Sequence, residues 1–282
     1  MISRYSAPDF MSKRRVIPGF GLSFGITIFW LGIIILIPLS ALFIKAAALG
    51  PADWWNILSS PRVLAAARLT FGASAAAAAV STVLGLLVAW VLVRYPFPGR
   101  RILDAIVDLP FALPTAVAGI TLTSIYAPTG WIGKYLAEIG IQGAYSPFGV
   151  FIALTFIGFP FVVRTVQPVM EDMGAELEEA SAILGAGRWT TFRRVIFPML
   201  VPALITGFTL AFARAIGEYG SVIFISGNLP MKTEILPLLI VAQLEQVKYE
   251  AAAVIASGML LVSFFLLILI NLLQRRLNWQ TR

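Results

Sequence analysis

What most constrains this chain is a series of apolar blocks, each about 20 residues or longer and nearly free of charge, long enough as helices to cross roughly 30 Å of hydrocarbon. Lipid offers no partner for backbone N–H and C=O groups, so such blocks read as transmembrane α-helices, which satisfy those groups internally. Six spans are expected: Phe20 to Ile44, Leu69 to Val93, Ala105 to Tyr126, Phe148 to Val163, Met199 to Ile225 and Ala252 to Leu273. The first could be mistaken for a secretory signal, because Lys13, Arg14 and Arg15 precede it, but its apolar run exceeds the roughly 7–15 residues of a signal peptide. The composition agrees: 59% of residues are hydrophobic and 12% charged, whereas soluble domains carry about 25% charged residues. The fold class is therefore all-α integral membrane.

The net charge of +7 does not point to nucleic acid, because the basic residues fall in short groups between the blocks and not on one long face. They follow membrane topology. Arg4, Lys13, Arg14, Arg15, Arg94, Arg100, Arg101, Arg164, Arg188, Arg193, Arg194, Arg275, Arg276 and Arg282 all lie on one side of the six-span arrangement. The opposite side holds Lys45, Arg62, Arg68, Lys134, Lys232 and Lys248, and fourteen against six puts both termini in the cytoplasm. Trp54, Trp55, Tyr95, Trp131 and Trp279 sit near span ends, where an amphipathic ring anchors a helix. Histidine and cysteine are absent, which excludes imidazole acid–base chemistry, thiol nucleophiles, disulfides and ordinary zinc sites.

The longest cytoplasmic connection, 171–198, is expected to be an amphipathic hairpin of two short helices. Ala175 to Leu184 opens with Glu176, Glu178 and Glu179, which complement a helix dipole, and places Ala180, Ile183 and Leu184 on one apolar face. Gly185 and Gly187 provide the turn. Trp189, Phe192, Val195 and Ile196 then recur at helical spacing over Arg188 to Phe197, with Pro198 at a first-turn position of the next span. From the residues alone, such a hairpin either docks on a partner or lies in the headgroup layer.

The order Glu179, Ala180, Ser181, three residues, Gly185, nine residues, Val195, Ile196, Phe197, Pro198 resembles the Glu-Ala-Ala loop of permeases from binding-protein-dependent ATP-binding cassette importers. Ser181, Val195 and Phe197 are conservative departures from that pattern. Three more stretches, from Arg94 to Arg100, from Asp108 to Gly119 and from Arg214 to Gly220, resemble the permeases of tetrahedral oxyanions, and the run Leu109 to Gly119 is most similar to the T-type sulfate permeases. The resemblance extends over about Arg14 to Leu273. It implies the type I importer permease fold, with a cytoplasmic tail 1–19, a first span 20–44, a permease core 62–273 and a tail 274–282. It also implies a bacterial inner-membrane location and a coupling role for Glu179, Ala180, Gly185, Val195 and Pro198.

The implied partners are a second, W-type permease subunit, two ATP-binding subunits and a periplasmic binding protein; the implied cargo is sulfate or thiosulfate, with molybdate or tungstate as the alternative. The loops Ala46 to Arg68, Ala127 to Pro147 and Ser226 to Glu250 would meet the binding protein. No Gly-x-x-x-x-Gly-Lys-Ser/Thr sequence occurs, so no cofactor is expected in this chain, and ATP and Mg would belong to the partner ATPase. A self-sufficient secondary anion transporter would need a relay of intramembrane titratable groups, and the spans offer little beyond Arg214 and Glu218.

Pathway candidates are Pro110, Pro114, Arg214 and Glu218. The two prolines free carbonyls that must be received by protein or by a water-filled cavity, unless they only kink a packed helix. Arg214 and Glu218, four apart in the fifth span, either help a dianion pass or form a structural ion pair. Asp104 and Asp108 are expected to begin the third span and pair with Arg100 or Arg101.

Overall fold

The computed structural model describes residues 20–280, so Arg4, Lys13, Arg14, Arg15 and Arg282 lie outside the described residues. Every regular element among the described residues is helical. The first helix, α1 (Phe20–Ala46), is followed by α2 (Pro51–Leu58) and by α3 (Pro61–Arg94), which at 34 residues is about 50 Å long. Trp54 in α2 donates its indole N–H to the Ala46 carbonyl at 2.8 Å, so it ties two helices together as well as sitting near a span end.

The third span is not one helix beginning at Ala105. It is α4 (Arg100–Val107), α5 (Leu109–Ala112) and α6 (Thr115–Tyr126), broken at Leu113, which is extended, and Pro114, which has no N–H to donate. After the short α7 (Gly133–Glu138) comes α8 (Pro147–Asp172), which runs well past Val163 and holds Arg164 inside the helix instead of in the following loop. The hairpin supplies α9 (Glu176–Ile183). Its expected second helix is not separate: α10 (Arg188–Ile216) is continuous with the fifth span.

Pro198 therefore lies within α10, and the helix accommodates it by widening into a π-turn over Phe192–Ile196. Pro38 in α1 is preceded by the same device at Gly32–Leu36. The fifth span stops at Ile216 and resumes as α11 (Gly220–Ser226). Ser226 to Glu250, expected to be an open loop, contains α12 (Leu236–Glu245), and Ile235, Leu236, Leu238 and Leu239 are all buried. Last comes α13 (Tyr249–Gln280).

The core lies where α3, α8 and α10 pack together, around Leu92, Val162, Val166, Met170, Leu200 and Phe212. Small residues set the spacing: a Cβ at Gly85 would come within 2.7 Å of Val162 Cγ1. Large apolar side chains such as Val83, Phe264 and Phe265 face outward, as a bilayer solvent allows. Among the described residues, five helices are long and apolar enough to span, with α6 and α12 shorter.

At the end opposite the hairpin, Arg62 forks onto the buried Glu234 through two 2.7 Å bonds, and the Leu236 N–H donates to Thr70 Oγ1 at 2.8 Å. These ties hold the segment before α12 against the start of α3. Glu234→Ala leaves the guanidinium without its partner and should cost about 2–4 kcal/mol, less than for a fully buried pair because Arg62 is part-exposed. The expected result is a clearly lower thermal midpoint of the detergent-purified protein; an unchanged midpoint would show that the fork carries no stability.

Candidate functional site

Two regions gather the chemistry-bearing residues. At the hairpin, Glu176, Glu178 and Glu179 occupy the first turn of α9, and Glu178 reaches Arg94 at the end of α3, 3.0 Å away. Arg94 in turn lies over the Trp90 ring. The helix ends in a Schellman motif: the Gly185 N–H bonds the Ala182 carbonyl at 2.9 Å and the Ala186 N–H bonds the Ser181 carbonyl at 3.0 Å. Gly185 holds φ +78° with no atom within 4 Å of where a Cβ would stand, so the backbone turn, and not crowding within the chain, calls for glycine there.

The apolar residues of the hairpin do not all face its own chain. Ser181 and Ile196 are turned inward, while Ile183 and Leu184 are each 86% exposed and Trp189 is 70% exposed. Trp189 stacks on Phe192, which meets Trp90 edge-on. Glu179 and Ala180 are exposed, and Val195 and Pro198 are half-buried at the hairpin's return. Behind the hairpin lies an open cavity of about 550 Å³, lined by Trp90, Arg94, Tyr95, Glu178, Arg188 and Phe192 among others.

The second region is a pair of broken helices. α6 and α11 pack along each other, and their starts sit side by side: a Cβ on Gly220 would overlap the Thr115 hydroxyl, and one on Gly119 would overlap the Ser221 carbonyl. Glu218 is not on the same helical face as Arg214, as the i,i+4 spacing suggests, because the helix ends at Ile216. It lies in the break, 1% exposed, where it pairs with Arg214 and also accepts the Ser221 N–H and hydroxyl at 3.0 Å each. Arg214 keeps about a third of its side chain exposed. Pro114 immediately precedes α6, next to this region, whereas Pro110 belongs to α5.

Asp104 and Asp108 do not pair with Arg100 or Arg101; both bind Arg164 of α8, a residue that sequence reasoning had placed in a loop. The missed signal was the continuation of the helical period beyond Arg164 through Val166 and Met170, both buried. No group of three or more His, Cys, Asp or Glu side chains that could hold a metal occurs among the described residues.

The sequence pattern of the family described as "Binding-protein-dependent transport system inner membrane component" matches residues 81–279. The chain is 48% identical to the sulfate transport system permease protein CysT of Escherichia coli K12, over 94% of this chain and 96% of that one. It is 50% identical to the Synechocystis protein of the same name, over 89% and 87%. Among solved structures it is similar to a bacterial ABC transporter that imports the acidic polysaccharide alginate, with TM-score 0.74, 18% identity and coverage of 91% and 96%. The MetNI methionine ABC transporter gives TM-score 0.56 at 19% identity, covering 83% of this chain and all of that one. The fold is that of type I ABC importer permeases, and the chain belongs to the family of binding-protein-dependent transport system inner membrane components.

Proposed function

We propose that this chain is the transmembrane permease subunit of an ATP-binding cassette importer that carries sulfate and thiosulfate inward by alternating access. Near-full-length likeness to CysT proteins carries the cargo assignment. A W-type permease completes the transmembrane pair, and a periplasmic binding protein delivers the anion. Two ATP-binding subunits hold ATP and Mg in the cytoplasm, on the side of both termini. The exposed tip of the hairpin, with Ile183, Leu184 and Trp189, is the surface that docks on one of them. In this assignment Glu179, Ala180, Gly185, Val195 and Pro198 are the coupling set.

The pathway passes the starts of α6 and α11. Arg214, part-exposed inside a span, offers a positive charge to a passing dianion, and Glu218 keeps that charge from holding it too tightly. Pro114 supports this by ending the helix there, which leaves the first N–H groups of α6 without a side-chain cap. Pro110 acts one turn away, in the segment that leads up to the break.

Deleting the gene and measuring uptake of labelled sulfate and, separately, of labelled molybdate, with unlabelled thiosulfate as competitor, tests the assignment. Sulfate uptake should vanish, return with the wild-type gene, and in the restored strain be suppressed by thiosulfate. Undiminished sulfate uptake with lost molybdate uptake would move the cargo to molybdate.

A further inference from the structure

We infer that Arg164 is a transmission residue, a clamp through which movement of the hairpin reaches the broken helix beside the pathway. This rests on the proposed function and deepens it. α8 carries the hairpin at its end, and Arg164 lies two turns before that end. Its guanidinium is fully engaged. Nε and Nη2 donate to the two Asp108 carboxylate oxygens at 2.7 and 2.6 Å, Nη1 donates to Asp104 Oδ1 at 2.7 Å, and Nη2 also reaches the Asp104 carbonyl at 2.9 Å.

The network continues toward the hairpin. Arg164 Nη1 donates to Gln167 Oε1 at 2.9 Å, and Gln167 Nε2 donates to Glu171 Oε1 at 3.2 Å, beside the last residue of α8. An unbroken series of polar contacts thus runs from the foot of the hairpin to Asp108, two residues before Pro110. One turn away, Phe161 of α8 meets Phe111 of α5 edge-on, with ring centroids 5.0 Å apart. Two kinds of contact therefore fix α4 and α5 to α8.

On the other side of the break the attachment differs. Leu113 is extended at φ −81° and ψ 133°, and Pro114 donates no backbone hydrogen bond, so no helical continuity stiffens the joint. α6 packs mainly on α11, with a smaller contact to α8, and α11 in turn also rests on α8. The joint at Leu113–Pro114 therefore separates a part tied to α8 by the Arg164 fork and the Phe161–Phe111 contact from a part held mainly through α11, so movement of α8 reaches the two parts through different contacts. A planar, five-donor guanidinium suits this grip on two carboxylates and a carbonyl; a lysine ammonium does not reproduce the fork.

The test uses the full complex purified with its co-purifying ATP-binding subunits and reconstituted in vesicles together with the sulfate-loaded periplasmic binding protein, with sulfate uptake and ATP hydrolysis measured together. For Arg164→Lys and for Asp108→Asn, assembly and hydrolysis should persist while sulfate moved per ATP falls roughly tenfold, within the usual range of coupling between sites. The exchange Asp108→Arg with Arg164→Asp should recover part of that ratio. An unchanged ratio in both single variants would overturn the clamp, as would uptake and hydrolysis falling in proportion along with the thermal midpoint. A wild-type complex without ATP-driven uptake would overturn the proposed function and this link with it.

Discussion

A Gly185→Val chain will reach the membrane and fold, and yet it will support almost no sulfate uptake. The substitution meets no atom of its own chain, because nothing stands within 4 Å of the new Cβ. Its cost lies in the backbone, where φ +78° is a left-handed conformation that opposes a β-branched residue by about 1–2 kcal/mol or more. That strain is released by unwinding the Schellman turn, which re-aims Ile183, Leu184 and Trp189, the apolar tip proposed to seat on the ATP-binding subunit. Uptake should fall by more than about a hundredfold, since loss of a docked apolar anchor alone costs ~2 kcal/mol or more and turn strain adds to it. Gly185→Ala should be milder. The readouts are uptake and co-purification of the ATP-binding subunit; full uptake by the Val variant would show that the turn does not govern docking.

The second large effect is expected in the break between α10 and α11. Glu218→Ala removes the partner of Arg214 and two bonds at the start of α11, those from the Ser221 N–H and hydroxyl. An uncompensated guanidinium within a span, together with the lost cap, should cost about 3–5 kcal/mol and reduce the yield of assembled complex severely. Arg214→Gln separates the two roles of this pair. It leaves the buried Glu218 its bonds to Ser221 and a glutamine amide that can donate in place of the guanidinium, so assembly should survive at reduced stability while uptake falls at least about tenfold, the result of weakening a transient anion contact by ~1.4 kcal/mol. Lost assembly in Arg214→Gln would instead mark the pair as structural only.

Much of the architecture was legible because apolar length is a strong signal in lipid, and the hairpin was legible because glycine after an amphipathic turn marks a helix end. The limits have particular causes. Arg164 closed an apolar window and so ended the fourth span too early, although Val166 and Met170 carry the helical period onward on the buried face. The break after Ile216 falls inside a mostly apolar span, where Gly217, Glu218 and Gly220 hint at it but no proline marks it. Leu236–Glu245 is too short at 10 residues to register as a span, yet it is packed into the bundle. Ion pairs between distant positions, such as Arg62 with Glu234 and Arg164 with Asp108, have no local sequence signature. Periodicity placed Ile183 and Leu184 on an apolar face, but it does not tell whether the chain itself or a partner covers that face.

The most direct measurement is sulfate transport by vesicles made from the affinity-tagged chain and whatever co-purifies with it from native membranes, supplied with the periplasmic sulfate-binding protein. Accumulation that requires ATP on the face of the membrane that carries the ATP-binding subunits, and disappears when those subunits are stripped away, is the predicted result. Sulfate accumulation by the stripped chain alone, without ATP, would contradict the proposal that this protein is the path and the lever of an ATP-driven importer.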